Sequence, residues 1–209
     1  FFFQLSVIRR RMSIIRRPGV AHAVPMSLIQ EYQGIFPFAL TQAQQRVIGE
    51  IAGDMRQSAP MLRLLQGDVG SGKTLVALFG CLAAIRGGHQ AVFMAPTEIL
   101  ARQHYESICQ RLKDGPFADI RVGLLVSGLP KAEKEQLLDR LRSGQIRLLI
   151  GTHALLEEGV EFTNLSLVVI DEQHKFGLRQ RAGLTSNVTN PDGRSEEHTS
   201  ELQSRQSIS

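Results

Sequence analysis

Apolar and polar residues change their spacing several times along the chain. Beyond Thr41, apolar Val47, Ile48, Ile51 and Met55 recur at helical intervals, and Thr41 with Gln44 has the T-x-x-Q spacing of a capping box, so a helix is expected to start there. After Pro60 short apolar runs alternate with longer amphipathic ones. This pattern predicts strands at 61–66, 90–95, 120–126, 146–150 and 165–170, with helices at 73–86, 98–112 and 131–143. Such alternation implies an α/β fold in which a parallel sheet carries helices on both faces. Ligands of such sheets bind beyond the carboxyl ends of the strands. Upstream, "FFFQLSVIRRRMSIIRR" patterns as an amphipathic helix, with Pro18 to Pro25 as its exit loop. Its aromatics precede its arginines, the reverse of a secretory signal.

Composition adds limits to this picture. The 209 residues leave room for one full domain and some extra, and 43% hydrophobic with 21% charged residues is enough to bury a core. No apolar run approaches the roughly 18 residues of a membrane helix, so no membrane partner is expected. Cys81 and Cys109 fit no CxxC spacing and fall within predicted helices, which assigns them to packing and points to a reducing, cytoplasmic compartment. The net charge is +4, and Asp192, Glu196, Glu197 and Glu201 outnumber Arg194 and Arg205 in the tail, so the basic bias lies in the rest of the chain. Arg9, Arg10, Arg11, Arg16 and Arg17 concentrate it near the start, as either a solvated face or a nucleic-acid contact.

The chemistry begins at "GDVGSGKT". Gly67, Asp68, Val69, Gly70, Ser71, Gly72, Lys73 and Thr74 fit G-x-x-x-x-G-K-[ST] between the expected strand 61–66 and a helix. Glycines let such a loop curl until its N–H groups point inward, and the following helix adds its positive end, which together cradle phosphates. Lys73 is expected to neutralise the β- and γ-phosphates of ATP, and the Thr74 hydroxyl to hold Mg²⁺. A second feature is "VVIDEQHKFG", where an apolar strand runs into Asp171 and Glu172. A lone Asp-Glu pair is usually a solvated loop. After a strand of the sheet that carries the phosphate loop, Asp171 can order the waters around Mg²⁺ while Glu172 polarises the attacking water.

Taken together, "FPFALTQAQ", "MLRLLQGDVGSGKT", "MAPTEILARQH", "GTHALLEEGVEF" and "LVVIDEQHKFG" resemble the successive helicase motifs of superfamily 2. In wording and order they resemble the RecG-type bacterial ATP-dependent DNA helicases, over about residues 34–184. The transcription-repair coupling factor also shares a GDVG loop, but its pattern has a second Glu at the position of Gln173, and "APTEILA" is closer to the RecG type. The resemblance implies a RecA-like P-loop NTPase lobe, branched duplex DNA as partner, and a monomeric motor in the bacterial cytoplasm. It also implies roles for single residues. Phe38 and Gln44 would recognise adenine, although Gln44 can instead simply complete the capping box with Thr41. Pro96, Thr97 and Thr152 would touch the DNA backbone, although Thr97 also suits an ordinary helix cap. Gln173 and His174 would sense the nucleotide state and pass it on. His153 and Arg102 have no assigned chemistry, and no zinc spacing exists.

The resemblance further implies parts outside this sequence: a second RecA-like lobe and an upstream wedge domain. Residues 1–33 are expected to be a basic linker or helix from such an upstream domain, and 34–184 the first motor lobe. Residues 185–209 include "RSEEHTSELQS", which has no hydrophobic periodicity and resembles the conceptual translation of a short-read sequencing adapter. It is expected to be a non-native tail.

Overall fold

The computed structural model of the chain describes residues 19–68 and 70–171. The elements in chain order are helices α1 (Met26–Gly34), α2 (Gln42–Met55) and α3 (Lys73–Arg86), strand β1 (Gln90–Met94), helix α4 (Glu98–Leu112), strand β2 (Val122–Leu125), helix α5 (Lys131–Arg142), strand β3 (Leu148–Gly151), a short 3₁₀ turn (His153–Leu156) and strand β4 (Leu165–Ile170). All ladders are parallel and the strand order is β2-β3-β1-β4. The expected α/β architecture is therefore present. The N-terminal amphipathic helix expected before residue 18 lies outside the described residues.

Alternation along each strand divides the core in two. Ala91, Phe93, Leu148 and Ile150 face the side covered by α1 to α4, while Val92, Met94, Leu149 and Leu125 face the side covered by α5 and the 153–165 segment. β1 is central and buried at every position, as a strand with helices on both faces must be. Gln90, at its start, is 2% exposed and polar. Its amide nitrogen donates to the carbonyls of Leu141 and Ile146 (2.9 and 2.8 Å), and its amide oxygen accepts from the N–H groups of Thr163 and Asn164 (2.9 and 3.1 Å). One amide thus uses its whole hydrogen-bonding capacity to tie the end of α5 to the entry of β4.

Two expectations are corrected. Residues 61–66 form no strand: among the described residues nothing pairs with them, and Leu62 and Leu64 are 60% and 67% exposed. Local pattern can nominate a strand, but a strand also needs a neighbour of matching register, and here Arg63 instead ties the segment to α2 through Glu50 and Asp54 (2.6 Å each). The second correction is α1, which the periodicity did not nominate. It begins after Pro25 with no side-chain cap, and it is held from outside: buried Leu28 and Tyr32 pack into the core, and the Tyr32 hydroxyl donates to the Leu75 carbonyl of α3. Burial also raises the pKa of that phenol well above its ordinary value.

Cys81 is fully buried in α3, where desolvation pushes its thiol up to about 12, and Cys109 is half-buried in α4. Neither thiol is poised to react. Among the described residues, no helix is long and apolar enough to cross a membrane.

Candidate functional site

The end of the sheet where the chemistry gathers follows from connectivity. α3 feeds β1 through Gly87 and Gly88, so the start of α3 lies at the carboxyl end of the strands. β1 runs into Ala95, Pro96 and Thr97, and β4 runs into Asp171 at the same end. The Asp171 N–H donates to the Met94 carbonyl (2.8 Å), which fixes that acid to the last residue of β1.

The loop before α3 is shaped by glycine, through its backbone angles at Gly70 and Gly72 and through close contacts at Gly67 and Gly72. Gly70 and Gly72 both have φ of +81°, the left-handed region that costs other L-residues about 1–2 kcal/mol. A Cβ on Gly72 would lie 2.4 Å from Gln44 Nε2, and one on Gly67 would lie 2.7 Å from Ser71 Oγ. Lys73 Nζ donates to the carbonyls of Gly67 and Asp68, both at 2.7 Å, which closes the curl of the loop around the ammonium. The Gly72 carbonyl accepts from Leu75 N–H at 2.9 Å, starting α3, whose N–H groups ahead of Leu75 have no acceptor one turn back within the helix. A cradle of small residues with a lysine and a helix start fits a polyphosphate. Half-buried Thr74 supplies a hydroxyl and Asp171 a carboxylate. Both are oxygen donors of the kind that a hard cation such as Mg²⁺ takes. Among the described residues no group of three or more His, Cys, Asp or Glu could hold a metal by itself. Val69, Glu172, Gln173 and His174 lie outside the described residues.

Gln44 performs two tasks at once. Its Oε1 accepts from Thr41 N–H (2.9 Å) and Thr41 Oγ1 accepts from Gln44 N–H (3.3 Å), so both halves of the capping box form. Its Nε2 donates to the Ser71 carbonyl (3.0 Å), which ties the start of α2 to the phosphate loop. Phe38 is 50% exposed and leans on Phe36, with ring centroids 5.6 Å apart and planes tilted by 36°.

Thr97 caps α4 by accepting from Leu100 N–H (3.3 Å) and is itself exposed, so its hydroxyl hydrogen can still be donated. Pro96 beside it is half-buried. Thr152 differs: it is 3% exposed, with its N–H on the Leu125 carbonyl, and offers little surface to a ligand in this arrangement. His153 is exposed, and Arg102 pairs with Glu98 one turn away (2.7 Å). One residue that pattern reading left aside does reach the site. His104 Nε2 is 3.1 Å from Asp171 Oδ2. Its place as the last letter of "MAPTEILARQH" was the available signal.

A cavity of about 400 Å³ lies at the opposite, amino end of the strands, lined by Arg86, Asp119, Arg121, Gly144 and Arg147 among others. Arg86 is accounted for there by Asp119 (3.4 Å) and by the Phe117 ring beneath its guanidinium. This cavity is remote from the phosphate loop and does not enter the chemistry.

Residues 41–203 match the DEAD/DEAH box helicase family. The chain is similar to the ATP-dependent DNA helicase RecG of Synechocystis sp., at 45% identity over 91% of this chain and 23% of that protein. It is also similar to the protein of the same name from Streptococcus pneumoniae, at 51% identity over 92% of this chain and 28% of the relative. A solved structure of RecG bound to a three-way DNA junction superposes with a TM-score of 0.76 at 44% identity, covering 83% of this chain and 24% of that one. The chain spans about a quarter of the length of the curated relatives it matches.

Proposed function

The chain belongs to the DEAD/DEAH box helicase family, and from that premise we propose that it is the first RecA-like lobe of a RecG-type motor that couples ATP hydrolysis to the remodelling of branched DNA. The observation that carries this reading is convergence. The phosphate loop, the acid that ends β4 and the exposed cap of α4 all lie at the carboxyl end of one parallel sheet, with Asp171 bonded to Met94 of the strand that leads to Thr97. A nucleotide there touches the same strand ends as a nucleic-acid backbone lying along the start of α4.

In this reading residues 34–184 are the lobe and residues 1–33 lead in from an upstream domain. Lys73 and backbone N–H groups of the loop hold the β- and γ-phosphates, and Phe38 and Gln44 face the adenine. Thr74 and Asp171 would hold Mg²⁺ and its waters, and the ion would supply positive charge to the phosphate oxygens. Glu172 polarises the water that attacks the γ-phosphate, with ADP as the leaving group. Pro96 and Thr97 contact phosphates of the DNA, which positions the strand without reading bases. The same role for Thr152 requires its turn to open. Gln173 and His174 report the nucleotide state to a second lobe, whose closure on this one completes the ATP cleft. The motor acts as a monomer beside the chromosome in the bacterial cytoplasm.

The experiment is a three-way junction labelled on one arm and incubated with the full-length protein. Arm displacement is expected with ATP and not with a non-hydrolysable analogue. Equal displacement with both would remove hydrolysis from the mechanism, and none with either would remove branched DNA as the substrate.

A further inference from the structure

Behind the acid that ends β4 stands a histidine on a different element. His104 lies on α4, seven residues or roughly two turns beyond Thr97. Asp171 is acceptor-only when ionised, so the Nε2–H of His104 donates to Asp171 Oδ2 at 3.1 Å, which selects the Nε2-protonated tautomer. The two side chains are only 15% and 27% exposed, and a bond so shielded competes with little bulk water. The imidazole is in turn set by Phe93 of β1, which is 1% exposed, with ring centroids 5.0 Å apart and planes tilted by 53°. The main chain of Asp171 is therefore held by Met94 of β1 and its carboxylate by the helix that follows β1.

A carboxylate that orders the waters of a hard cation acts through the direction of its oxygens. An outer hydrogen bond that fixes this direction changes metal affinity by roughly 10–100-fold in other sites. We infer that His104 is a positioning residue that sets the Asp171 carboxylate for the waters around Mg²⁺. This rests on the reading of Asp171 as the magnesium-ordering acid. His104 touches neither the nucleotide nor the ion in this account; its effect passes through Asp171.

The test uses the full-length protein with ADP, and Mn²⁺ as the spectroscopically visible replacement for Mg²⁺, with bound and free ion separated by electron paramagnetic resonance. His104→Phe keeps a ring against Phe93 and removes the donor, whereas His104→Gln keeps an amide N–H at similar reach. Mn²⁺ affinity is expected to fall about 10-fold or more in His104→Phe and to be largely restored in His104→Gln. ADP affinity in a chelator should stay the same in both. Wild-type Mn²⁺ affinity in His104→Phe, or no recovery in His104→Gln, overturns the positioning role. Asp171→Asn separates the two layers. If it weakens Mn²⁺ binding while His104→Phe does not, only the role of His104 falls; if it leaves Mn²⁺ binding unchanged, the reading of Asp171 falls with it.

Discussion

Replacing Lys73 with Ala is expected to lower ATP turnover by the full-length protein on branched DNA by on the order of 10²- to 10³-fold. The ammonium already lies within the curl of the loop, donating to the carbonyls of Gly67 and Asp68 at 2.7 Å. An arriving triphosphate exchanges those neutral acceptors for anionic oxygens, so the ammonium then faces full negative charge in place of carbonyl dipoles. The gain is largest where charge builds on the transferring group, so the loss should fall on kcat as well as on ATP affinity. Folding should be spared, because Lys73 is only half-buried and its hydrogen bonds go to the loop itself. Phosphate release measured beside a thermal melt checks both halves, and turnover at the wild-type rate would contradict the assignment of the loop.

Gly72→Val is expected to weaken nucleotide binding by about 10- to 100-fold, through shape and with no change of charge. The residue sits at φ +81°, where a side chain costs about 1–2 kcal/mol. Its Cβ would also lie 2.4 Å from Gln44 Nε2. Gln44 can swing away, but only by giving up its bond to the Ser71 carbonyl (3.0 Å), worth about 1 kcal/mol. Gly70→Ala is the matched control. It has the same φ of +81°, yet among the described residues its added Cβ meets nothing within 4 Å, so it should show the backbone cost alone. Titration with a fluorescent ADP analogue measures all three proteins. Equal affinities for Gly70→Ala and Gly72→Val would mean that the contact between Gln44 and the loop does not shape the cradle.

Much of the fold was legible because it rests on local signals. The helices over 73–86 and 98–112 are bounded by glycine or a capping threonine, and they appear as expected. The capping box at Thr41 is a relation between residues three apart, and it forms as the spacing requires. What the sequence did not reveal is non-local. Residues 61–66 look like a strand on their own, but pairing depends on a neighbour, and Arg63 found α2 instead. α1 has no cap to announce it and is held by a hydrogen bond from Tyr32 to a residue 43 positions away. The same division runs through the site. Loop, lysine and acid could be read from motif spacing, whereas the bond from Gln44 to Ser71 spans 27 residues and that from His104 to Asp171 spans 67. Each motif was visible; the contacts that join them belong to the folded sheet.

In the proposed motor, nucleotide chemistry and DNA contact meet at one end of this sheet. The most direct measurement is steady-state ATP hydrolysis by the full-length protein with and without a three-way junction, at saturating ATP and Mg²⁺. The account predicts a rate that rises at least about tenfold with the junction, the equivalent of roughly 1.4 kcal/mol off the barrier, and that returns to its basal value in Lys73→Ala. A rate that is the same with and without DNA would contradict it.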